Sequence, residues 1–173
     1  MALDYFSKKK VDIAIIETGL GGRLDSTNII KPSLSIITEI SLDHLDILGN
    51  TILKIAKEKS GIIKEKTPVV ISKQSKEVTN LLIKKASEKS SHLTEVLEVM
   101  NIKLSQKGTE FRYRGKDYIT SLIGDHQAYN ASLIIESIKK YDSSIDEKVI
   151  QKGLKSVFWP GRIQKIHKNI FFD

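Results

Sequence analysis

Val11-Asp-Ile-Ala-Ile-Ile-Glu-Thr-Gly-Leu-Gly-Gly-Arg-Leu-Asp-Ser-Thr-Asn28 is the stretch on which the fold turns. Val11 to Ile16 is a nearly continuous apolar run rich in β-branched residues, which predicts a strand buried on both faces of a helix-covered parallel sheet. The run stops at Glu17. A glycine-rich turn with Gly19, Gly21 and Gly22 follows, then a polar segment carrying Arg23, Asp25 and Asn28. An acid at the carboxyl end of a buried strand, beside a loop where backbone can approach a ligand, is where open α/β sheets build their sites. The same pattern also describes a capped strand and a surface turn, so the neighbouring segments must decide between the two.

Working outward, residues 2–9 read as the end of a helix, with Leu3 and Phe6 inward and lysines in the last turn. A helix end leading straight into a central strand predicts that an N-terminal portion precedes it. Ser33 to Ile40 is a second apolar run, closed by Ser41, Asp43 and His44. Asn50 reads as the N-cap of a helix over 51–60, and Gly61 as its C-terminal stop. Residues 68–72 form a third buried run, and 76–89 have helical periodicity. Alternating strands and helices of this kind predict parallel βαβ units. The pattern then changes to short alternating runs over 93–99, 102–105, 110–114 and 117–122, an antiparallel meander with Gly115-Lys116 as a two-residue turn. Helices follow over 125–141, with Asp125 as N-cap, and 146–155. Trp159-Pro160-Gly161-Arg162 breaks the second of them before two final strands, 163–167 and 170–172. The expected fold is α/β: a three-layer, mostly parallel sheet flanked by helices, with an antiparallel β appendage.

Of the 173 residues 40% are hydrophobic and 28% charged, ordinary values for a globular protein. No apolar run approaches the roughly 20 residues of a membrane span, so no membrane association is expected. The absence of cysteine excludes disulfides and thiolate metal sites and suits a cytoplasmic protein. The net charge of +7 is spread along the chain, which favours small anionic ligands over nucleic acid.

Three polar residues stand out: Glu17 at the end of one apolar run, His44 just past another, and Lys59 near the end of the helix that follows. If the two runs are parallel neighbours, Glu17 and His44 emerge side by side. One carboxylate and one imidazole make a partial shell for a divalent cation, magnesium on ligand number or manganese or zinc on softness. Lys59 by itself reads as a solvated lysine favoured by the helix dipole. No G-x-x-x-x-G-K-[ST] phosphate loop occurs in the sequence.

The segments Glu17–Asn28, Leu42-Asp43-His44 with Leu48-Gly49-Asn50-Thr51, and Ile55 to Ile62 together resemble the dihydrofolate synthase/folylpolyglutamate synthase family of the Mur ligase superfamily. Gly124-Asp125-His126-Gln127 with Asn130-Ala131 is similar to that family's later helix motif, and Trp159–Arg162 to the junction with its C-terminal domain. Thr18 departs from the family's usual valine. The resemblance covers essentially the whole chain and implies a central-domain fragment cut at both ends. Residues 1–160 would belong to the ATPase domain and 161–173 would open the glutamate-ligase domain.

The resemblance implies ATP-dependent ligation of L-glutamate to dihydropteroate or folate through an acyl phosphate, by a monomer using ATP and Mg2+. It implies Glu17 and His44 as magnesium ligands and Lys59 as a carbamylated lysine. It places Asn130, with His126 and Gln127, at the adenine, Arg162 at the nucleotide phosphates and Asp173 at the ribose. Without a phosphate loop, activity of this chain alone is not expected. Two other readings remain at this point: a Mur-type peptidoglycan ligase, and a non-catalytic domain that binds anions or a partner.

Overall fold

The computed structural model describes residues 1–161, 163–167 and 170–172. Helix α1 (Ala2–Lys9) opens the chain and ends at Lys10 in the left-handed region. Among the described residues, the run 11–16 that follows forms no strand and joins no sheet. This corrects the expected buried strand: Ile13 is 61% and Ile15 92% exposed. An apolar β-branched run expresses a demand for burial, but a strand also needs a hydrogen-bonded neighbour. The first strand, β1 (Ser35–Ile37), pairs with one strand only among the described residues.

Helices α2 (Leu45–Leu48) and α3 (Ile52–Lys59) come next. The cap of α3 is Thr51, whose hydroxyl accepts from the Lys54 N–H at 3.3 Å. Asn50, the expected cap, instead accepts from the Lys54 ammonium at 3.1 Å. A 3-10 turn, Ser60–Ile62, prolongs α3, so Gly61 lies inside helical structure rather than acting as its stop. Strand β2 (Val69–Ile71), helix α4 (Lys76–Glu88) and strand β3 (Leu93–Glu95) complete a parallel sheet of order β1-β2-β3. The expected meander began at Leu93; the structure puts that strand in the parallel sheet instead. The α4 crossover returns the chain in the same direction, and a three-residue strand carries no pattern of its own that distinguishes the two pairings.

The antiparallel sheet is β4 (Met100–Ser105), β5 (Gly108–Tyr113) and β6 (Lys116–Thr120). Tyr113 pairs with Lys116, so the hairpin turn is Arg114-Gly115, one residue earlier than expected. Both turn residues have positive φ, 48° and 75°, the type I′ geometry that matches strand twist. The N-cap of helix α5 (Asp125–Tyr141) is Gly124, and Asp125, the expected cap, is its first residue. Helix α6 (Glu147–Ser156) is capped by Asp146, and the hairpin β7 (Gln164–His167) and β8 (Ile170–Phe172) follows.

Val69, Val70 and Ile71 are fully buried because β2 is covered on both faces. On one face Ile55 and Ala56 of α3 and Val78, Leu82 and Ala86 of α4 pack with Val69 and Ile71. On the other, Val70 meets Val96 and Leu133 of α5. Each such valine, leucine or isoleucine contributes about 1.5–3 kcal/mol on burial. Helix α5 also buries Ala128, Ala131 and Ile135 against Phe111, Tyr113 and Tyr118 of the antiparallel sheet and against Ile150 and Leu154 of α6. One helix thus joins both sheets. No helix among the described residues is long and apolar enough to cross a membrane.

Candidate functional site

The glycine loop is built around Asp25. Its Oδ2 accepts from the Gly19 and Leu20 N–H groups, both at 2.9 Å. Its Oδ1 accepts from the Thr27 N–H at 2.9 Å and the Thr27 hydroxyl at 2.5 Å. These donors, the Thr27 hydroxyl foremost, hold the carboxyl down at about 2. The loop is then fastened to the end of α3. The Arg23 N–H donates to the Glu58 carbonyl at 2.9 Å, and Arg23 Nε reaches the Glu58 carboxylate at 3.1 Å. Asn28 Nδ2 donates to the carbonyls of Arg23 at 3.0 Å and Gly61 at 3.2 Å. At Gly22 a Cβ would stand 3.0 Å from the Glu58 carbonyl and 3.1 Å from that of Lys59, so the approach needs glycine.

Glu17 is exposed, two residues before this loop, and Lys59 is half-buried as the last residue of α3. His44 is exposed and starts α2 in the left-handed region with φ of 48°. Its N–H donates to Asp43 Oδ1 at 2.8 Å, and its Nε2 stands 3.6 Å from Asp43 Oδ2. Four residues on, buried Leu48 meets the glycine loop: a Cβ at Gly21 would lie 2.8 Å from Leu48 Cδ2. The segments carrying Glu17, His44 and Lys59 therefore converge at the C-terminal end of α3, although the strand pairing expected to join the first two is not formed.

A second group lies at the start of α5. Gly124 has φ of 132°, and a Cβ there would be 2.5 Å from Cε1 of His126, whose ring occupies the space. His126 Nε2 and Gln127 Nε2 are 3.0 Å apart, and Asn130 Nδ2 donates to Gln127 Oε1 at 3.4 Å. Gln127 and Asn130 line a groove of about 380 Å³ between α5 and α6, walled by Ile134, Ile138, Val149 and Leu154. A few polar groups on apolar walls are the usual make-up of a small-molecule site. Arg162 and Asp173 lie outside the described residues.

Gln74 was not singled out from the sequence. Its Nε2 donates to the Thr38 carbonyl at 2.9 Å, its Oε1 accepts from the Ile40 N–H at 3.0 Å, and its own N–H donates to Glu95 Oε1 at 3.3 Å. It ties together the carboxyl ends of all three parallel strands. The available signal was its place three residues beyond a buried strand.

Known proteins share both the sequence and this architecture. The dihydrofolate synthase/folylpolyglutamate synthase of Bacillus subtilis is 38% identical over 98% of this chain. A solved FPGS–AMPPCP–folate complex aligns over 98% of the chain with a TM-score of 0.89 and 33% identity. The Mycobacterium tuberculosis folylpolyglutamate synthase, solved with ADP and AMPPCP, aligns over 99% with a TM-score of 0.90 and 31% identity. The chain spans 43%, 45% and 42% of these three proteins, respectively. The Mur ligase middle domain matches residues 1–137, which takes in the glycine loop, His44, Lys59 and the amides of α5, and the chain belongs to that family.

Proposed function

We propose that this chain forms the ATP-binding middle part of a ligase that joins L-glutamate to dihydropteroate or folate, with residues 1–160 in the middle domain and 161–173 opening the next. The likeness to the FPGS–AMPPCP–folate complex over 98% of the chain carries the reading. The absence of cysteine fits a cytoplasmic enzyme, read here as a monomer.

Glu17 and His44 offer one carboxylate and one imidazole. Among the described residues no group of three or more His, Cys, Asp or Glu gathers to hold a metal alone. The carboxylate suits magnesium, which takes one or two carboxylates and fills its shell with water and phosphate oxygens, while the imidazole is an atypical magnesium ligand that also admits manganese or zinc. When bound, the cation neutralises phosphate charge during phosphoryl transfer. The Asp25-centred hydrogen bonds and the contact with α3 hold the segment that follows Glu17. Lys59 is read as a carbamate, converting a cation into an oxygen donor. Asn130 and Gln127, with His126 beside them, are read as contacts to the adenine, and Arg162 and Asp173 as contacts to phosphate and ribose.

The test is glutamate incorporation by the product expressed from its own locus. Labelled glutamate should enter dihydropteroate or folate with one ADP released per bond, and Glu17→Gln should reduce the rate at least a hundredfold, the scale of one lost electrostatic partner. ATP turnover with a UDP-linked acceptor instead would favour a Mur-type peptidoglycan ligase. Nucleotide binding without ligation would overturn the enzymatic reading.

A further inference from the structure

We infer that Gln74 is a positioning residue for His44, and the inference rests on the proposed reading of His44 as a cation ligand. The last backbone bond between β1 and β2 runs from the Ser72 N–H to the Ile37 carbonyl at 2.9 Å. Beyond it the chain leaves the sheet towards His44, and the Gln74 carboxamide takes the place of a neighbouring strand. Its N–H donates to the Thr38 carbonyl and its oxygen accepts from the Ile40 N–H. Ile40 is itself buried in the core, so the point of departure is held by both a side-chain anchor and a hydrogen-bonded pair.

Gln74 is braced in turn. Its backbone N–H meets Glu95 Oε1, which also accepts from the Thr79 hydroxyl at 3.2 Å. Downstream, Leu48 fixes the other end of the segment against Gly21. His44 lies between these two anchors on an exposed stretch, where its carbonyl accepts from the Ile47 and Leu48 N–H groups at 3.0 and 2.9 Å and its own N–H and ring face Asp43. Its left-handed backbone is costly for a residue other than glycine and persists where the surroundings over-determine it. Gln74 supplies the upstream half of that determination. It touches no substrate; it acts through His44.

Paramagnetic broadening of amide signals by Mn2+ in the 15N-labelled 173-residue chain tests this. In the wild type, broadening should centre on Glu17 and His44. Gln74→Glu keeps the acceptor for Ile40 but sets an oxygen against the Thr38 carbonyl. It should shift the Ile40 and His44 signals and weaken Mn2+ binding about tenfold, the factor for roughly one hydrogen bond. Thermal unfolding should change by only a few degrees. In a His44→Ala background the same substitution should cause no further loss, because coupled residues are not additive. An unchanged Mn2+ affinity in Gln74→Glu overturns the inference alone, as does an equal loss in the His44→Ala background. No broadening at His44 in the wild type overturns the reading of His44 as a ligand, and the inference with it.

Discussion

Gly61 passes so close to Arg23 that a Cβ built on the glycine would stand 2.4 Å from the Arg23 Cα. This close approach, together with the Arg23 bonds to Glu58, seats the glycine loop on the end of α3. Gly61→Ala sets backbone against a new side chain and should cost about 1–3 kcal/mol of unfolding free energy. The Arg23 amide, which donates to the Glu58 carbonyl, should exchange with solvent faster. Gly153 is the control: it sits in α6 with nothing within 4 Å of its would-be Cβ. Gly153→Ala should therefore stabilise by about 0.5–1 kcal/mol. Urea unfolding of both variants checks the pair, and equal effects would contradict the close approach.

Asp25 serves four donors with two carboxylate oxygens. Asp25→Asn leaves one oxygen and turns an amide N–H2 towards donors. Either Gly19 and Leu20 or Thr27 lose their acceptor, and amide exchange at the losing pair should accelerate. The Asp25 carboxyl is held near 2 against an ordinary 3.8. A depressed carboxylate stabilises the folded state fully above its unfolded value and loses that contribution as pH falls through the folded value. Loop protection in the wild type should therefore decline between about pH 3.8 and 2, and be flat across that window in Asp25→Asn.

Glu147 ties the first turn of α6 to its neighbours, accepting from the ammonium groups of Lys116 at 2.7 Å and Lys139 at 2.8 Å and from the Tyr118 hydroxyl. Partial burial pushes its carboxyl up, but these three donors outweigh that and bring it to about 2 from 4.5. The stabilisation is complete above pH 4.5 and lost as pH falls towards 2. Glu147→Gln should lower Tm by a few degrees at neutral pH and match the wild type near pH 2. A constant difference at all pH values would assign its role to packing instead.

Tyr113 is fully buried between the antiparallel sheet and α5, donating to Glu136 Oε1 at 2.8 Å and accepting from the Leu97 N–H at 3.1 Å. Burial pushes the phenol up to about 12, so it remains protonated at every working pH. Tyr113→Phe strands the Leu97 N–H and removes one of the donors to Glu136, while Arg114 still serves that carboxylate at 3.1 Å. The expected cost is about 1–3 kcal/mol by denaturant unfolding. A loss below 0.5 kcal/mol would mean that another group takes over the amide.

Much of this was legible in the residues themselves. Helices over 51–60, 76–89, 125–141 and 146–155 follow from apolar periodicity, although the caps expected at Asn50 and Asp125 fall one residue away, at Thr51 and Gly124. The Val69-Val70-Ile71 run is buried on both faces, as three consecutive β-branched residues imply. The segments around Glu17, His44 and Lys59 carry the resemblance to the Mur ligases in their residues alone, and the family match covers them.

What stayed hidden was relational. Periodicity and β-branching measure what a segment would bury, so the sequence alone determined the longer helices α3, α4, α5 and α6 and the buried run 69–71. Partners are set by the packing of distant segments. Only the tertiary structure decided that 11–16 joins no sheet among the described residues, that Leu93–Glu95 joins the parallel sheet, that Gly61 is required by Arg23 and that Gln74 holds Thr38 and Ile40. Each of these depends on contacts between residues about 20 or more positions apart, and local pattern carries no information about which distant backbone will be there to meet it.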